Sequence, residues 1–251
     1  MTPAQGTTPR GTQTEEQASR WVRGMFGRVA HRYDFLNHAL SFQADRYWRA
    51  RTVARVSHIL ERPEARVLDL CCGTGDLAFL AANRAAGARV AGVDFTLPML
   101  EVARKRRLGG EGRAAFAQGD ALRLPFPDGV FDVVTIAYGL RNVADLERAL
   151  GEMRRVLAPG GRLVVLDFGK PANPLAASLY QGFLHTVMPF VGWLFHRDPE
   201  TYLYIPESLK SFPAQTGVEA LMRTAGFVNA RHENRLLGTM GLNVGEAPGG
   251  P

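Results

Sequence analysis

Cysteine is almost absent from this 251-residue chain, which contains only Cys71 and Cys72. A metal site needs several ligands at chelating spacings, and the sequence offers neither a C-x-x-C motif nor a nearby pair of histidines. Two neighbouring cysteines rarely bridge each other. The sequence therefore predicts no metal ion, and it predicts that both cysteines are small side chains packed where a strand meets a loop.

Lysine is also scarce, because it supplies only three of the 30 basic residues, and the arginines are spread along the chain. The formal net charge of +6 indicates an anionic partner. Scattered arginines are more typical of solvated helix faces than of a nucleic-acid-binding stripe, so we expect no nucleic-acid partner. One denser basic and aromatic segment, residues 20–34, has the composition of an interfacial helix or a substrate lid.

Long apolar runs are missing as well. The longest poorly charged stretch, residues 179–195, is shorter than the roughly 20 residues that span a bilayer, and it contains Gly182, Pro189 and Gly192. We expect a broken helix there and no membrane span. The first residues lack the apolar core of a signal peptide, which favours a cytoplasmic location.

The two ends of the chain have low complexity. Residues 1–19 contain almost no apolar side chain larger than alanine, and residues 246–251 read EAPGGP. Such segments bury too little apolar surface to fold. We therefore predict a disordered N-terminal tail over 1–19, a single domain over 20–245 and a flexible C-terminal tail over 246–251.

Within the predicted domain, short apolar runs alternate with stretches of helical spacing. Residues 66–70, 89–94 and 162–168 are apolar runs of the buried-strand type, and residues 145–157 form an amphipathic helical pattern. Strands that alternate with helices of this length indicate βαβ units. We predict a doubly wound α/β fold with a mostly parallel sheet, N-terminal helices and a helical insertion near residues 174–225.

A glycine-rich loop follows the first predicted strand, in which Asp69 closes the strand and Gly73, Thr74 and Gly75 come next. Glycine permits a tight turn and a close approach of the backbone to a ligand, and the next helix offers free N–H groups to a carboxylate or phosphate. The dinucleotide fingerprint G-x-G-x-x-G would need glycine at Ala78. Alanine is sometimes allowed there, so a nicotinamide cofactor stays an alternative.

Two further acids follow the next two strands. Asp94 ends the second strand, where a carboxylate can accept both hydroxyls of a ribose, and Asp120 after the third strand can accept an adenine amino group. With a helix start that meets a carboxylate, these positions fit adenosine joined to an amino acid. The pattern predicts S-adenosylmethionine, held by Asp69, Gly73, Thr74, Gly75, Asp94, Asp120 and Ala121.

Four longer segments carry a narrower resemblance: YDFLNHALSFQADRYW (33–48), YGLRNV (138–143), YLYIPESLKSFPAQ (202–215) and LLGTMGLNVG (236–245). With VLDLCCGTGD, they resemble the class I S-adenosylmethionine-dependent methyltransferases, and within them the UbiE/MenG family of demethylmenaquinone and polyprenyl-benzoquinol C-methyltransferases. The resemblance runs over about residues 21–245 and implies a Rossmann-like sheet of seven strands. The chain departs from the family pattern at Leu36, Asp45, Ala137, Asp167 and Gly169.

The resemblance implies C-methylation of a reduced polyprenyl quinone, with demethylmenaquinol as the expected acceptor and menaquinol as the product. It points to Arg141 as the residue that holds the quinol oxygen anionic or polarises a water, to Asn142 as a residue that orients the same oxygen, and to Tyr33 as a wall and hydrogen-bond donor. No metal is required for this chemistry. Four histidines are alternative bases that we do not prefer: His31, His38, His185 and His196.

A prenyl tail needs an apolar channel, for which residues 179–195 and 21–42 are the candidates. Because such a tail lives in the membrane, we expect peripheral contact with its inner face through residues 20–34. The 179–195 stretch would equally suit a dimer surface, so a homo-oligomer is a further expectation.

Other functions stay open at this point. They are a methyltransferase for another phenolic or apolar small molecule, a nucleic-acid methyltransferase, motivated by the isoelectric point of about 9.7, and a dehydrogenase. The sequence does not distinguish a naphthoquinol from a benzoquinol acceptor.

Overall fold

The computed structural model describes residues 6, 12, 14–30, 41, 43–85, 87–187 and 200–250. Seven strands in these ranges form one sheet, in the order β3-β2-β1-β4-β5-β7-β6. The strands are β1 (Arg66–Leu70), β2 (Arg89–Asp94), β3 (Ala115–Gln118), β4 (Phe131–Ala137), β5 (Leu157–Phe168), β6 (Val228–Arg235) and β7 (Met240–Glu246). Neighbours from β3 to β5 are parallel, and β7 is antiparallel to both β5 and β6. The prediction of a doubly wound, mostly parallel seven-stranded α/β fold is confirmed.

Helices connect and flank the strands. They are α1 (Glu15–Val29), α2 (Ala44–Ala54), α3 (Ser57–Leu60), α4 (Asp76–Arg84), α5 (Leu97–Leu108), α6 (Leu146–Val156), α7 (Pro174–Gly182), α8 (Glu200–Ser211) and α9 (Ala214–Thr224). A 3₁₀ turn follows β4 at Leu140–Asn142, a π-helical turn continues α7 at Phe183–Val187, and a second 3₁₀ turn, Leu236–Gly238, precedes β7. No helix among the described residues is both long and apolar enough to cross a membrane.

Apolar layers on both faces of the sheet explain the nearly continuous hydrophobic runs of the central strands. One layer combines Leu146, Leu150 and Met153 of α6 with Val218 and Met222 of α9. The other layer combines side chains of α2 and α4 with β1 and β5. Parallel strands that are covered on both faces need apolar side chains on both. The sheet therefore exposes its functional groups at the strand ends, where the loops begin.

The folded part of the chain is longer than the predicted domain boundaries at both ends. Helix α1 begins at Glu15, because the hydroxyl of Thr14 accepts the backbone N–H of Gln17 and caps it. At the other end, Glu246 lies in β7 and forms an ion pair with Arg162. Helix α1 and strand β7 thus extend into the predicted tails of 1–19 and 246–251, and the domain boundaries stay a prediction.

The described part of the region near 174–225, which is predicted as a helical insertion, is helical. Helix α9 packs on β6 and β7 as an ordinary layer of the sheet. Helices α7 and α8 are the part that stands outside the regular alternation, between β5 and α9. The boundary between insertion and layer cannot be read from sequence, since α8 and α9 are separated only by Phe212 and Pro213.

Candidate active site

The glycine-rich loop after β1 has the tight backbone that its sequence predicts. Cys71 itself adopts φ +50°, and Gly75 adopts φ +95° at the start of α4. A Cβ atom on Gly75 would lie 2.8 Å from the ring of Phe116. A larger residue at Gly75 would therefore push this loop away from β3, and the left-handed backbone would be strained as well.

Both cysteines are free, and they pack at the junction of β1 and this loop as predicted. Burial, assisted by the charges of Asp94 and Asp69, raises the pKa of both thiols. The thiols therefore stay protonated and unreactive at neutral pH. Among the described residues, no three His, Cys, Asp or Glu side chains are grouped as metal ligands.

Asp94, at the end of β2, anchors the glycine-rich loop through hydrogen bonds. One carboxylate oxygen accepts the backbone N–H of Gly73 at 2.9 Å, and the other accepts the N–H of Thr96 at 2.8 Å. Burial raises the pKa of Asp94, while these backbone donors oppose the shift. The carboxylate thus joins the β1 loop to the start of α5.

Asp69, on β1, is the most deeply buried of the predicted cofactor acids. Its Oδ1 accepts the hydroxyl of Thr135 at 2.8 Å, whereas its Oδ2 is buried and has no hydrogen-bond partner within the described ranges. Burial is the largest cause that raises the pKa of this carboxyl to about 7. A cationic ligand beside Oδ2 would favour the ionised form.

A cleft at the carboxyl ends of the strands brings the predicted cofactor residues together. Its larger lobe has an empty volume of about 630 Å³ and is lined by Asp69, Gly73, Thr74 and Asp94 among others. The adjoining lobe, of about 460 Å³, is lined by Asp94, Asp120 and Ala121. Gly75 lines neither lobe and acts through the backbone turn. Asn142 lines both lobes.

Sequence reasoning missed Arg49 and Tyr138, which also line the larger lobe. Arg49 forms ion pairs with Asp45 and Asp76, and its guanidinium stacks on the ring of Tyr138 at 5.3 Å. Tyr138 directly follows β4 and adopts φ +58°. Asp45, where the chain departs from the family pattern, was the available signal for Arg49.

Arg141 is not part of the cleft wall. Its side chain donates to Asp167 at 2.7 Å and to the carbonyl oxygen of Tyr138 at 2.6 Å, and the residue is only 4% exposed. The guanidinium also stacks on Phe168 at 4.9 Å. Arg141 therefore ties the turn after β4 to the end of β5. Its catalytic role stays a prediction, and Tyr33 lies outside the described residues.

The sequence pattern of the ubiE/COQ5 methyltransferase family matches residues 12–246. The chain is 48% identical to a demethylmenaquinone methyltransferase of Thermus thermophilus over 89% of this chain and 100% of that protein. It is 39% identical to the ubiquinone/menaquinone biosynthesis C-methyltransferase UbiE of Francisella tularensis subsp. novicida over 92% of each.

Solved structures support the same fold. The phosphoethanolamine N-methyltransferase 2 of Haemonchus contortus, in complex with S-adenosyl-L-methionine, superimposes with a TM-score of 0.60 at 17% identity. The match covers 79% of this chain and 52% of that one. At this identity the likeness concerns the fold alone.

Proposed function

Because the chain belongs to the ubiE/COQ5 methyltransferase family, we propose that it transfers a methyl group from S-adenosylmethionine to a ring carbon of a reduced polyprenyl quinone. The observation that carries this proposal is the cleft at the strand ends, where Asp69, Asp94 and Asp120 meet around the glycine-rich loop. The sequence pattern assigns Asp94 to the ribose and Asp120 to the adenine of one molecule, and we assign Asp69 to its amino-acid part.

The residues present fit this cofactor. Asp94 lies where the two lobes adjoin and offers carboxylate oxygens to a ribose, and Asp120 with Ala121 lines the lobe that we assign to adenine. The orphaned Oδ2 of Asp69 faces the other lobe and would accept the ammonium group of the amino-acid part. The free N–H groups at the start of α4 would meet its carboxylate. S-adenosylmethionine supplies, when bound, a methyl group on a positively charged sulfur.

On the acceptor side, the proposed catalytic residue is Asn142, which is supported by its position along both lobes of the cleft. Its amide can orient a ring oxygen of the quinol, so that the neighbouring ring carbon faces the methyl group. Arg141 lies one residue away and pairs with Asp167. We propose that Arg141 sets the position of Asn142 and adds positive charge behind the ring oxygen, which favours the anionic form of the quinol. Tyr33 stays a proposed wall of the same site.

The acceptor is proposed from the relatives, one of which is named for demethylmenaquinone and the other for both ubiquinone and menaquinone biosynthesis. The higher identity to the first favours demethylmenaquinol, with menaquinol as product. We also propose that the protein forms a homo-oligomer, because the apolar stretch within residues 179–195 would suit a dimer surface.

We also propose peripheral contact with the membrane, but through a different surface from the segment 20–34. In the segment 20–34, Val22 and Met25 are buried against Phe26 and Phe95, so much of its apolar surface is used in packing. More exposed apolar side chains lie near the active-site edge: Leu175 and Leu179 on α7, and Leu236 and Leu237 in the turn before β7. Gly238 of this turn packs on Pro171, which lies three residues before the start of α7. We propose that these leucines meet the bilayer that holds the prenyl tail.

The test is methyl transfer from labelled S-adenosylmethionine to reduced demethylmenaquinol, beside a reduced benzoquinone that lacks the corresponding methyl group. Transfer to the naphthoquinol alone supports a dedicated menaquinone enzyme, and transfer to both supports a dual-pathway enzyme. Cofactor binding without transfer to either would contradict the proposed acceptor and direct attention to other phenols. Arg89→Ala serves as a control, since Arg89 forms an exposed ion pair with Glu64 away from the cleft.

A further inference from the structure

Tyr180, on α7, has a buried hydroxyl that makes no hydrogen bond to any residue in the described ranges. Buried tyrosine hydroxyls usually find a partner, and leaving one unsatisfied costs about 1–3 kcal/mol. Phenylalanine would fill the same space without this cost. The presence of tyrosine at this position therefore calls for a function of its oxygen atom.

The neighbours of Tyr180 connect it to the acceptor side of the cleft. Tyr180, Phe183 and Leu184 form the inner side of α7 and its π-helical continuation, and all three pack on the core layer of α6. The π-helical turn contacts α8, and α8 contacts the 3₁₀ turn Leu140–Asn142. The helix that carries Tyr180 is thus braced against the turn that carries Arg141 and Asn142.

The charges of Arg141 and Asp167 both act on the Tyr180 hydroxyl. Burial is the largest influence on its pKa and raises it, the Arg141 charge lowers it, and the Asp167 charge raises it further. The hydroxyl consequently keeps its proton at neutral pH, so it is available as a hydrogen-bond donor.

We propose that Tyr180 is a catalytic residue whose hydroxyl donates a hydrogen bond to a ring oxygen of the quinol acceptor. The inference rests on the proposed function and names the group that uses the orphaned hydroxyl. Helix α7 contains no fully buried residue, and the proposal requires an outward shift of this helix that lets a planar ring reach the hydroxyl. As negative charge develops on the ring oxygen, the hydrogen bond strengthens, and the proton stays on Tyr180.

Tyr180→Phe tests this assignment because it removes a single oxygen atom. We expect kcat for methyl transfer to fall about 10- to 100-fold, with the Kd for S-adenosylmethionine within twofold of the original. We also expect Tm to stay equal or to rise, because the variant no longer buries an unsatisfied hydroxyl. The control is Tyr47→Phe, at a tyrosine that is 57% exposed, for which kcat should not change.

The two readouts separate a catalytic hydroxyl from a structural one. A fall in kcat with a lower Tm overturns the assignment, because it indicates that the hydroxyl supports the fold. Unchanged kcat in Tyr180→Phe, with an active original enzyme, overturns this inference alone. If the original enzyme methylates neither quinol, the proposed function fails and this inference fails with it.

Discussion

Two regions meet at the carboxyl edge of the sheet: the cofactor loops, residues 71–75, 94–96 and 138–142, and the outer helices α7 and α8. In the cofactor loops, backbone N–H groups fix the Asp94 carboxylate through its contacts with Gly73 and Thr96. In α7 and its π-helical continuation, residues 174–187 include no Asp, Glu, Lys or Arg. In the proposed function, hydrogen-bonded polar loops would hold the cofactor, whereas a helix without charged side chains would meet the apolar acceptor.

The sharpest test of this division lies at the Arg141–Asp167 pair, which fixes the turn after β4 to the end of β5, since the same turn contacts α8. Arg141→Ala leaves the buried Asp167 carboxylate without its ion-pair partner, so we expect a loss of about 3–5 kcal/mol in the free energy of unfolding. We expect kcat to fall at least about 100-fold, with cofactor binding retained. Chemical denaturation, calorimetric titration of S-adenosylmethionine and turnover measure the three quantities.

The matched control for that variant is Arg89→Ala, whose exposed ion pair with Glu64 should cost at most about 1 kcal/mol. If folded Arg141→Ala lost cofactor binding together with turnover, the two regions would not be separable in the way proposed.

A second test concerns only the cofactor loops. The pKa of Asp69 is about 7 in the folded protein, against 3.8 for its ordinary value. Because the folded pKa is raised, the folded state favours the protonated carboxyl, and this contribution to stability is lost as pH rises from about 4 through 7. A cationic ligand favours the ionised form, so the affinity for S-adenosylmethionine should rise by up to about tenfold per pH unit below pH 7.

Titration calorimetry between about pH 5.5 and 8.5 measures the affinity change, because this range spans the transition. Asp69→Asn has no carboxyl to ionise and should remove the pH-dependent component while it weakens binding. An unchanged profile in that variant would assign the titration to another group.

The smallest expected effect concerns the outer helices and the membrane. Replacing both Leu236 and Leu237 by serine should weaken binding to anionic vesicles about fivefold, since partial burial of these side chains in a bilayer contributes about 1 kcal/mol. The matched control is Leu108→Ser, because Leu108 is 88% exposed but lies at the far end of α5, away from the strand ends. Vesicle sedimentation measures the difference, and equal binding by the two variants would refute the proposed surface.

The cofactor side was predictable from sequence because its signals are local. The bounds of β1 and β2 agree with the predicted apolar runs, and in a parallel sheet the strand ends bring Asp69, Asp94 and Asp120 to one edge. Partners that depend on sheet register were not predictable. Arg141 meets Asp167 because Ala137 pairs with Leu166 between β4 and β5. Arg49 reaches the cleft only because α2 packs on α4, a tertiary contact without a sequence signature.

The place of β7 in the sheet has a consequence for how the protein is made. β7 (Met240–Glu246) lies between β5 and β6, so the strand synthesised last of the three fills the gap between two earlier ones. On the ribosome the edge of β5 stays uncovered until residues 240–246 emerge, which takes about 4–16 s at about 5–20 residues per second. An open, apolar edge strand is a site for pairing with other chains. Slow translation of the last 80 or so residues should therefore promote aggregation of the nascent chain, while mutations that weaken β7 should prolong the same exposure.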